Sequence, residues 1–528
     1  MKPKVLISDA LSPRAVEIFR ERGLEVEQKT GLKPEELKSI IGQYDGLAIR
    51  SSTKVAPDIL SAATKLKVVG RAGIGVDNVD VPAATARGVV VMNTPFGNSI
   101  TTAEHAVALM LALARQLPSA NASTHAGKWE KSKFMGVEVT GKILGIIGCG
   151  NIGAIVADRA LGLRMKVIAY DPFLTPERAQ ELGVEKVELD QLFPRADFIT
   201  LHTPLTEQTR NIIDAKALAK CKKGVRIINC ARGGLIVEAD LQAALESGHV
   251  AGAALDVFAE EPAKQNPLFG MENIIATPHL GASTTEAQEN VALQIAEQMS
   301  DFLLTGAVTN ALNMPSVSAE DAPKLRPYMK LAEQLGSFAG QITQTGIVSV
   351  KISYEGHVAS LNTRPLTHIA LMGLLKPSLD HVNMVNAPVV AKDRGIKLSE
   401  TRSENEGDYH TLMRMEVATS SGTFHVAGTL FSGKPRVVGI DTVSLEAELT
   451  PRMLFVRNED KPGFIGRLGT KLGEAKINIA NFTLGRQVPG ADAVSLVAVD
   501  SDVSTSLLGE IQKLPGVVGA YLLRFNTN

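Results

Sequence analysis

A glycine turn, a carboxylate and three polar loops hold the residues of this chain whose types and spacing suit chemistry. Lys142-Ile-Leu-Gly-Ile-Ile-Gly-Cys-Gly-Asn-Ile-Gly153 reads as an apolar strand, a turn and a helix start, with Gly148, Gly150 and Gly153 at G-x-G-x-x-G spacing. In a dinucleotide site the first glycine permits the tight turn, the second lets backbone approach a pyrophosphate, and the third lets helix pack on strand. Free N–H groups and the dipole at the helix start then hold the phosphates. A second apolar strand, Lys166-Val-Ile-Ala-Tyr170, ends at Asp171, eighteen residues past Gly153 and close to the about 20 expected. A carboxylate there accepts hydrogen bonds from ribose hydroxyls and repels a 2′-phosphate, which selects NAD over NADP. A lone glycine pattern is weak, and Asp171 alone would be a turn residue before Pro172. The strand–turn–helix–strand context gives both their meaning.

Each of the three loops follows a strand. They are Asn229-Cys-Ala-Arg-Gly-Gly234, Asp256-Val-Phe-Ala-Glu-Glu-Pro262 and Thr277-Pro-His-Leu-Gly-Ala-Ser283. Arg232, Glu261 and His279 together suit oxidation of a hydroxyl carbon. Such a reaction removes the hydroxyl proton while hydride leaves the same carbon for a nicotinamide. A histidine accepts protons near neutral pH. A carboxylate beside it fixes its tautomer and raises its pKa. An arginine fork binds a substrate carboxylate and polarises the carbonyl in the reverse direction. Cys230 lies among these residues, where a small buried apolar side chain is the simpler role.

Alternating strands and helices must position these groups. Residues 1–98 hold strands at Lys4–Ser8, Gly46–Arg50, Leu66–Gly70 and Val89–Met92, with a helix Pro13–Arg22 capped by Ser12. The alternation predicts a parallel sheet with helices on both faces. Arg50 and Arg71-Ala-Gly73-Ile-Gly75 stand at strand ends, where open α/β sheets bind ligands. Both arginines suit an anionic substrate, with the Gly73 amide suited to a carboxylate. Spacing alone leaves surface turns equally open. A helix over Ser99–Leu117 carries Glu104 and His105, the latter read as structural. The basic loop Gly127–Phe134 holds the only tryptophan and is either a solvated face or an arm toward an anionic ligand. A further helix runs from Thr284 to about Leu304 and is expected to return to the first domain. Residues 316–450 read as strand-rich, with Ser399–Asp408 a surface loop, and 451–528 as β-α-β-β-α-β.

The bulk numbers bound the rest. A chain of 528 residues is too long for one core. With 55 basic and 56 acidic residues it has no global field to draw nucleic acid or an anionic membrane. No apolar run reaches the roughly 20 residues that span a bilayer. Cys149, Cys221 and Cys230 have neither C-x-x-C nor metal-ligand spacing, so no metal is expected and a reducing cytoplasm fits.

The three loop motifs, the glycine turn and Arg71-Ala-Gly-Ile-Gly-Val-Asp77, all in order within residues 1–312, resemble the D-2-hydroxyacid dehydrogenase family. Met92–Ser99, Gly127-Lys-Trp-Glu130 and Cys221–Arg232 are similar to those members that oxidise 3-phosphoglycerate at the start of L-serine synthesis. Val385-Asn-Ala-Pro388 and Arg457–Gly466 resemble the intervening and ACT domains of their long form. The resemblance implies an α/β architecture in four parts. A flavodoxin-like substrate domain (1–98 and 285–312) accompanies a Rossmann-type NAD domain (99–284). An α+β intervening domain (316–450) and a ferredoxin-like ACT domain (451–528) follow.

The resemblance also implies catalysis by Arg232, Glu261 and His279. It implies NAD contacts from the glycine turn with Asn151 and Ile152, and from Asp171, Thr203, Cys230, Ala231, Arg232, Asp256, His279, Gly281 and Ala282. Substrate contacts would come from Arg50, Arg71, Gly73, Arg232 and His279. An amino-acid effector, L-serine, would meet Asn458, Asp460 and Asn478, and a homodimer or homotetramer is expected. Two departures stand out. Ile74 lacks a hydroxyl that some relatives carry, and Asn151 replaces a common arginine. Related functions remain open on the sequence. One is a dehydrogenase of glycerate or D-lactate, and another is an NAD-sensing binding protein without turnover.

Overall fold

The computed structural model describes residues 2–525 apart from 319, 344, 380, 381 and 406. The chain divides into two compact units, residues 94–294 and residues 1–93 with 295–528.

The unit of residues 94–294 is built on seven parallel strands. Their order is Ile274–Ala276, Val250–Leu255, Val225–Asn229, Phe198–Leu201, Ile143–Ile147, Lys166–Tyr170 and Glu185–Lys186. The central strands are aliphatic and buried, as a sheet covered on both faces requires. From Ile143–Ile147 the chain first builds outward through Lys166–Tyr170, then returns and builds the other way from Phe198–Leu201. The reversal makes a crevice outside the carboxyl ends of those two central strands, where doubly wound sheets bind nucleotides. The helix expected over Ser99–Leu117 ends at Arg115, because Gln116 takes a left-handed conformation (φ 52°) and a second helix, Leu117–His125, follows. Its buried face includes Ala103, Ala106, Met110 and Ala114.

In the other unit the first sheet is also parallel, ordered Glu25–Gln28, Lys4–Ile7, Gly46–Ile49, Val68–Arg71 and Val90–Met92. This is the flavodoxin-like order. Glu25–Gln28, a polar edge strand, carries a single apolar residue, Val26, too little to mark it as a strand in the sequence. The helix from Thr285 to Thr305 sends Ile295 and Met299 into a buried position over this sheet, beside Gly70.

Residues 321–447 form a six-stranded sheet with helices Asp321–Ile342 and Arg364–Leu375 packed on it. A strand-rich expectation for this region is therefore incomplete. The Ser399–Asp408 stretch also differs from expectation, since Lys397–Ser403 is an edge strand pairing parallel with Ile347–Gly356. It is almost wholly exposed, so its polar residues look like a loop. Asn383 and Asn386 donate side-chain hydrogen bonds to Gly88 O (3.0 Å) and Ala86 O (3.2 Å), tying this region to the first sheet's domain.

Residues 452–524 form an antiparallel sheet ordered Ile479–Arg486, Asp492–Val499, Arg452–Glu459 and Val517–Arg524. Helices Phe464–Glu474 and Thr505–Gln512 cover one face. The other face joins the core of the preceding region. Phe338 lies 5.3 Å, centroid to centroid, from Phe455 and also stacks on Phe424 and Phe525. Met453, Phe455, Leu496, Leu523 and Phe525 are buried in that shared core. Each such side chain gains about 1.5–3 kcal/mol from burial. Residues 451–525 expressed alone are expected to aggregate or stay partly unfolded, while 316–525 forms a cooperative unit. Circular dichroism melts of both fragments check this, and a sharp melt of the short one would contradict it.

Candidate active site

The crevice is shaped by the glycine turn. Gly148 has φ +94°, and a Cβ there would stand 2.6 Å from His202 O. A Cβ on Gly153 would stand 2.1 Å from Gly148 O, so the helix can meet the strand only through glycine. At Gly150 a Cβ would meet nothing within 4 Å, which leaves open space where a phosphate group would need it. The helix Asn151–Gly162 begins at Gly150 without any side-chain cap. Its first N–H groups are therefore available to an anion. Asn151 and Ile152 occupy its first two positions. Asp171 receives Cys149 N (2.8 Å) and Phe173 N (2.8 Å), which fixes its carboxylate beside the turn. Thr203 Oγ1 is buried and has no hydrogen-bond partner among the described residues, and its methyl group lies against Gly148. Open space at Gly150, uncapped helix amides, a fixed carboxylate and an orphaned hydroxyl all suit a dinucleotide.

The three loops leave adjacent strands at the same edge, which brings Arg232, Asp256, Glu261 and His279 into one region. His279 Nδ1 lies 2.7 Å from Glu261 Oε2, so the ring donates through Nδ1 and keeps Nε2 for other partners. Glu261 Oε1 accepts Phe258 N at 3.1 Å. The bond to Glu261 raises the His279 pKa above the usual imidazole value, against burial and the nearby Arg232 charge. Burial pushes Glu261 up, but the His279 bond and the Phe258 amide outweigh it and hold the carboxyl below its ordinary range. His279 has φ +56°, a left-handed conformation that costs a non-glycine residue about 1–3 kcal/mol. Its amide donates to Asp256 O (2.9 Å) and Thr277 O (3.0 Å).

Arg232 is set by Asn229, whose side chain donates to Arg232 O (2.9 Å) and accepts Ala231 N (3.0 Å). The guanidinium turns back onto Ala231 O at 2.6 Å. Cys230 is buried, and burial pushes its thiol far above the usual range, so it is no nucleophile. Burial pushes His202 down to about 4, which leaves it neutral at neutral pH.

Asp256 was expected to touch the cofactor. Its carboxylate is fully buried and engaged by the protein itself. Oδ1 accepts Thr277 Oγ1 (2.6 Å) and Leu280 N (2.7 Å), and Oδ2 accepts Gly281 N (2.8 Å). Gly281 O in turn accepts Thr102 Oγ1 at 2.8 Å, and Ala282 follows in the same turn. His105 Nε2 lies 3.3 Å from Asp256 Oδ1. No local pattern signals that contact, because the two residues are far apart in the chain.

Arg50, Arg71 and Gly73 belong to the other unit, at the carboxyl ends of Gly46–Ile49 and Val68–Arg71. Asp9 accepts Arg50 N (2.7 Å), and Asn78 donates to Arg50 O (2.7 Å). Arg71 folds over Gly73, whose φ of +137° and missing Cβ make room for the guanidinium.

At the far end of the chain, the turn after Arg452–Glu459 borders a cavity of about 380 Å³. Asn458, Asp460, Gly463 and Arg486 line it. Asp460 Oδ2 accepts Arg486 Nη1 (2.6 Å) and Gly490 N (3.0 Å). The Gly490 amide and Arg486 hold that carboxyl below its ordinary range. Asn478 is not among the residues lining this cavity; it donates to Asp500 Oδ2 at 2.6 Å. Arg486 stands beside Asp460 in this cavity.

A doubly wound sheet with this turn and a carboxylate–imidazole pair at its edge defines a nucleotide-dependent dehydrogenase of hydroxy acids. The chain matches the D-isomer specific 2-hydroxyacid dehydrogenase NAD-binding domain over residues 107–281. It matches the D-3-phosphoglycerate dehydrogenase intervening domain over 324–441 and the ACT domain over 452–516. It is 44% identical to a D-3-phosphoglycerate dehydrogenase of Synechocystis sp., over 99% of this chain and 94% of that protein. It is 42% identical to the enzyme of that name from Archaeoglobus fulgidus, over 98% and 99%. Among solved structures, a glyoxylate reductase from Paecilomyes thermophila aligns with TM-score 0.55 and 31% identity, over 59% of this chain and 98% of that one. D-lactate dehydrogenase from Escherichia coli aligns with TM-score 0.52 and 26% identity, over 58% and 99%. The chain belongs to the D-3-phosphoglycerate dehydrogenase family, a branch of the D-isomer specific 2-hydroxyacid dehydrogenases.

Proposed function

We propose that this chain oxidises 3-phospho-D-glycerate to 3-phosphohydroxypyruvate with NAD, the first step of L-serine synthesis. The observation that carries the reading is the His279–Glu261 pair at 2.7 Å, beside Arg232 at the edge of the nucleotide sheet. NAD, when bound, accepts the hydride. The protein's own part is to bind the acid, orient it and take its proton. Nε2 of His279 removes the hydroxyl proton, and Glu261 stabilises the imidazolium that results. Arg232 binds the carboxylate, while Arg50, Arg71 and the Gly73 amide serve the anionic substrate. Steady-state assays with 3-phosphoglycerate, glycerate and D-lactate test the reading. The highest kcat/KM is expected with 3-phosphoglycerate, and a preference for either other acid would reassign the substrate.

Asp171 sets the cofactor. Asp171→Asn keeps an acceptor for the Cys149 amide and removes the charge that would repel a 2′-phosphate. The ratio of kcat/KM for NAD over NADP is expected to fall by roughly tenfold or more, the worth of a charged hydrogen bond. A wild type that used both cofactors equally would remove Asp171 from this role.

The C-terminal cavity is read as an L-serine site. Asp460 Oδ1, not used by the Arg486 and Gly490 bonds, can accept the ammonium group, and Arg486 and Asn458 can face the carboxylate. Serine is expected to inhibit, and Asp460→Ala to abolish inhibition while sparing uninhibited turnover. Calorimetry of the full-length protein checks it, and no heat across millimolar serine would end this assignment.

The protein is further read as a cytoplasmic homo-oligomer, a dimer or tetramer. Its three cysteines are buried and free, and among the described residues no helix is long and apolar enough to cross a membrane. Phe96, Ile100, Trp129 and Met135 are exposed apolar groups in the nucleotide unit that a second copy would cover.

A further inference from the structure

His105 stands on the long helix Ser99–Arg115, one turn beyond Thr102 and away from every loop that carries the proposed chemistry. Its ring nevertheless reaches the one carboxylate around which the His279 loop is wrapped. Nε2 lies 3.3 Å from Asp256 Oδ1 and 3.5 Å from Thr277 Oγ1. Asp256 is fully buried and faces three donors from residues 277–281. Those donors flank His279, which is itself held in a left-handed conformation and hydrogen-bonded from its amide to Asp256 O. The backbone around His279 is thus shaped by a buried anion. A buried anion holds its place only while its hydrogen bonds are complete.

We infer that His105 is a positioning residue for the reaction. Its Nε2–H completes the shell of Asp256 and so keeps the 277–281 loop, and with it His279, in the conformation needed for proton transfer. The inference rests on the proposed role of His279. His105 touches neither substrate nor cofactor in this scheme, so its effect reaches the reaction only through Asp256 and the loop. Two long contacts make an individually weak bond. Their consequence lies in geometry, since a misplacement of about 1 Å in a catalytic group can cost 10²-fold in rate.

The test compares His105→Leu, which removes the donor, with His105→Gln, whose amide nitrogen can stand where Nε2 does. Each is assayed as the full-length enzyme for kcat, for NAD affinity by fluorescence titration, and for the solvent deuterium isotope effect on kcat. His105→Leu is expected to lose about tenfold in kcat, with a larger solvent isotope effect as proton transfer becomes limiting. NAD affinity should fall by less than kcat, because the glycine turn and Asp171 are untouched while only the 277–281 loop shifts. His105→Gln should recover most of the rate. Wild-type kcat in His105→Leu would overturn the inference, and so would equal impairment in the Leu and Gln variants. If His105→Leu fails to fold, Thr277→Val removes the neighbouring donor from the same carboxylate. It should show the same kcat loss and isotope effect, and wild-type values there would likewise overturn the inference. Failure of the underlying reading is separate: it would appear as an unaltered rate in His279→Ala, whatever the His105 variants do.

Discussion

Replacing His279 with alanine is expected to cut kcat for 3-phosphoglycerate oxidation by roughly 10²–10⁴-fold, the range for a general acid–base group. NAD affinity should change little, since the glycine turn and Asp171 hold that cofactor. The pH profile gives a finer test. Hydroxyl oxidation needs Nε2 without a proton, so activity should rise with pH and level off above the His279 pKa. The Glu261 bond raises that pKa over the usual imidazole value, so the rise is expected to centre above about 6.5. The reverse reduction needs the imidazolium and should fall through the same region. Glu261→Gln removes the main cause of the rise and should move both limbs to lower pH. Near-normal turnover in His279→Ala would take His279 out of the mechanism. An unmoved profile in Glu261→Gln would separate the two residues.

The candidate site was legible because its residues sit in short motifs at strand ends. Each of Gly148, Asp171, Arg232, Glu261 and His279 lies within a few residues of a short apolar run bounded by turn residues, which reads as a buried strand. Parallel order then does the assembling, since neighbouring strands deliver their carboxyl-terminal loops to one edge. What stayed hidden depends on contacts between distant segments. His105 reads as an ordinary helix histidine, and only the fold sets it against Asp256. Asp256, which the resemblance makes an NAD contact, is also buried and held by residues 277–281, and that brace has no sequence pattern. Arg486 and Asp460 lie on different elements of the last domain, and no spacing rule pairs them.

The same distinction explains the C-terminal half. Helices Asp321–Ile342 and Arg364–Leu375 pack through Gly336, Gly340 and Gly373, where a Cβ would fall 2.1–2.4 Å from the facing backbone. Glycines that lower helix propensity are here the condition for close packing, so local preference and tertiary fit oppose each other. The β-α-β-β-α-β module was plain from its order of elements. Its second apolar face, through Phe455 and Leu496, was not seen as a shared core, because alternation shows that a face is buried without showing against what. One hydrophobic core therefore spans both regions.

Arg232→Ala is expected to lower kcat/KM for 3-phosphoglycerate on the order of 10²–10³-fold, as the loss of one partner in a desolvated charge pair does. Arg232 is half-buried and its backbone is braced by both ends of the Asn229 amide, while the guanidinium, resting on Ala231 O, exchanges that contact for the substrate carboxylate. Its charge also opposes the rise in the His279 pKa. Removing it should therefore raise that pKa and shift the acid limb of oxidation upward, opposite to the effect of Glu261→Gln. Arg232→Lys keeps the charge and loses the planar fork. It should leave the pH profile near that of the wild type while recovering only part of kcat/KM. The two variants thus separate charge from geometry in one experiment. A wild-type KM for the acid in Arg232→Ala, with NAD affinity also unchanged, would move carboxylate binding elsewhere, to Arg50 or Arg71.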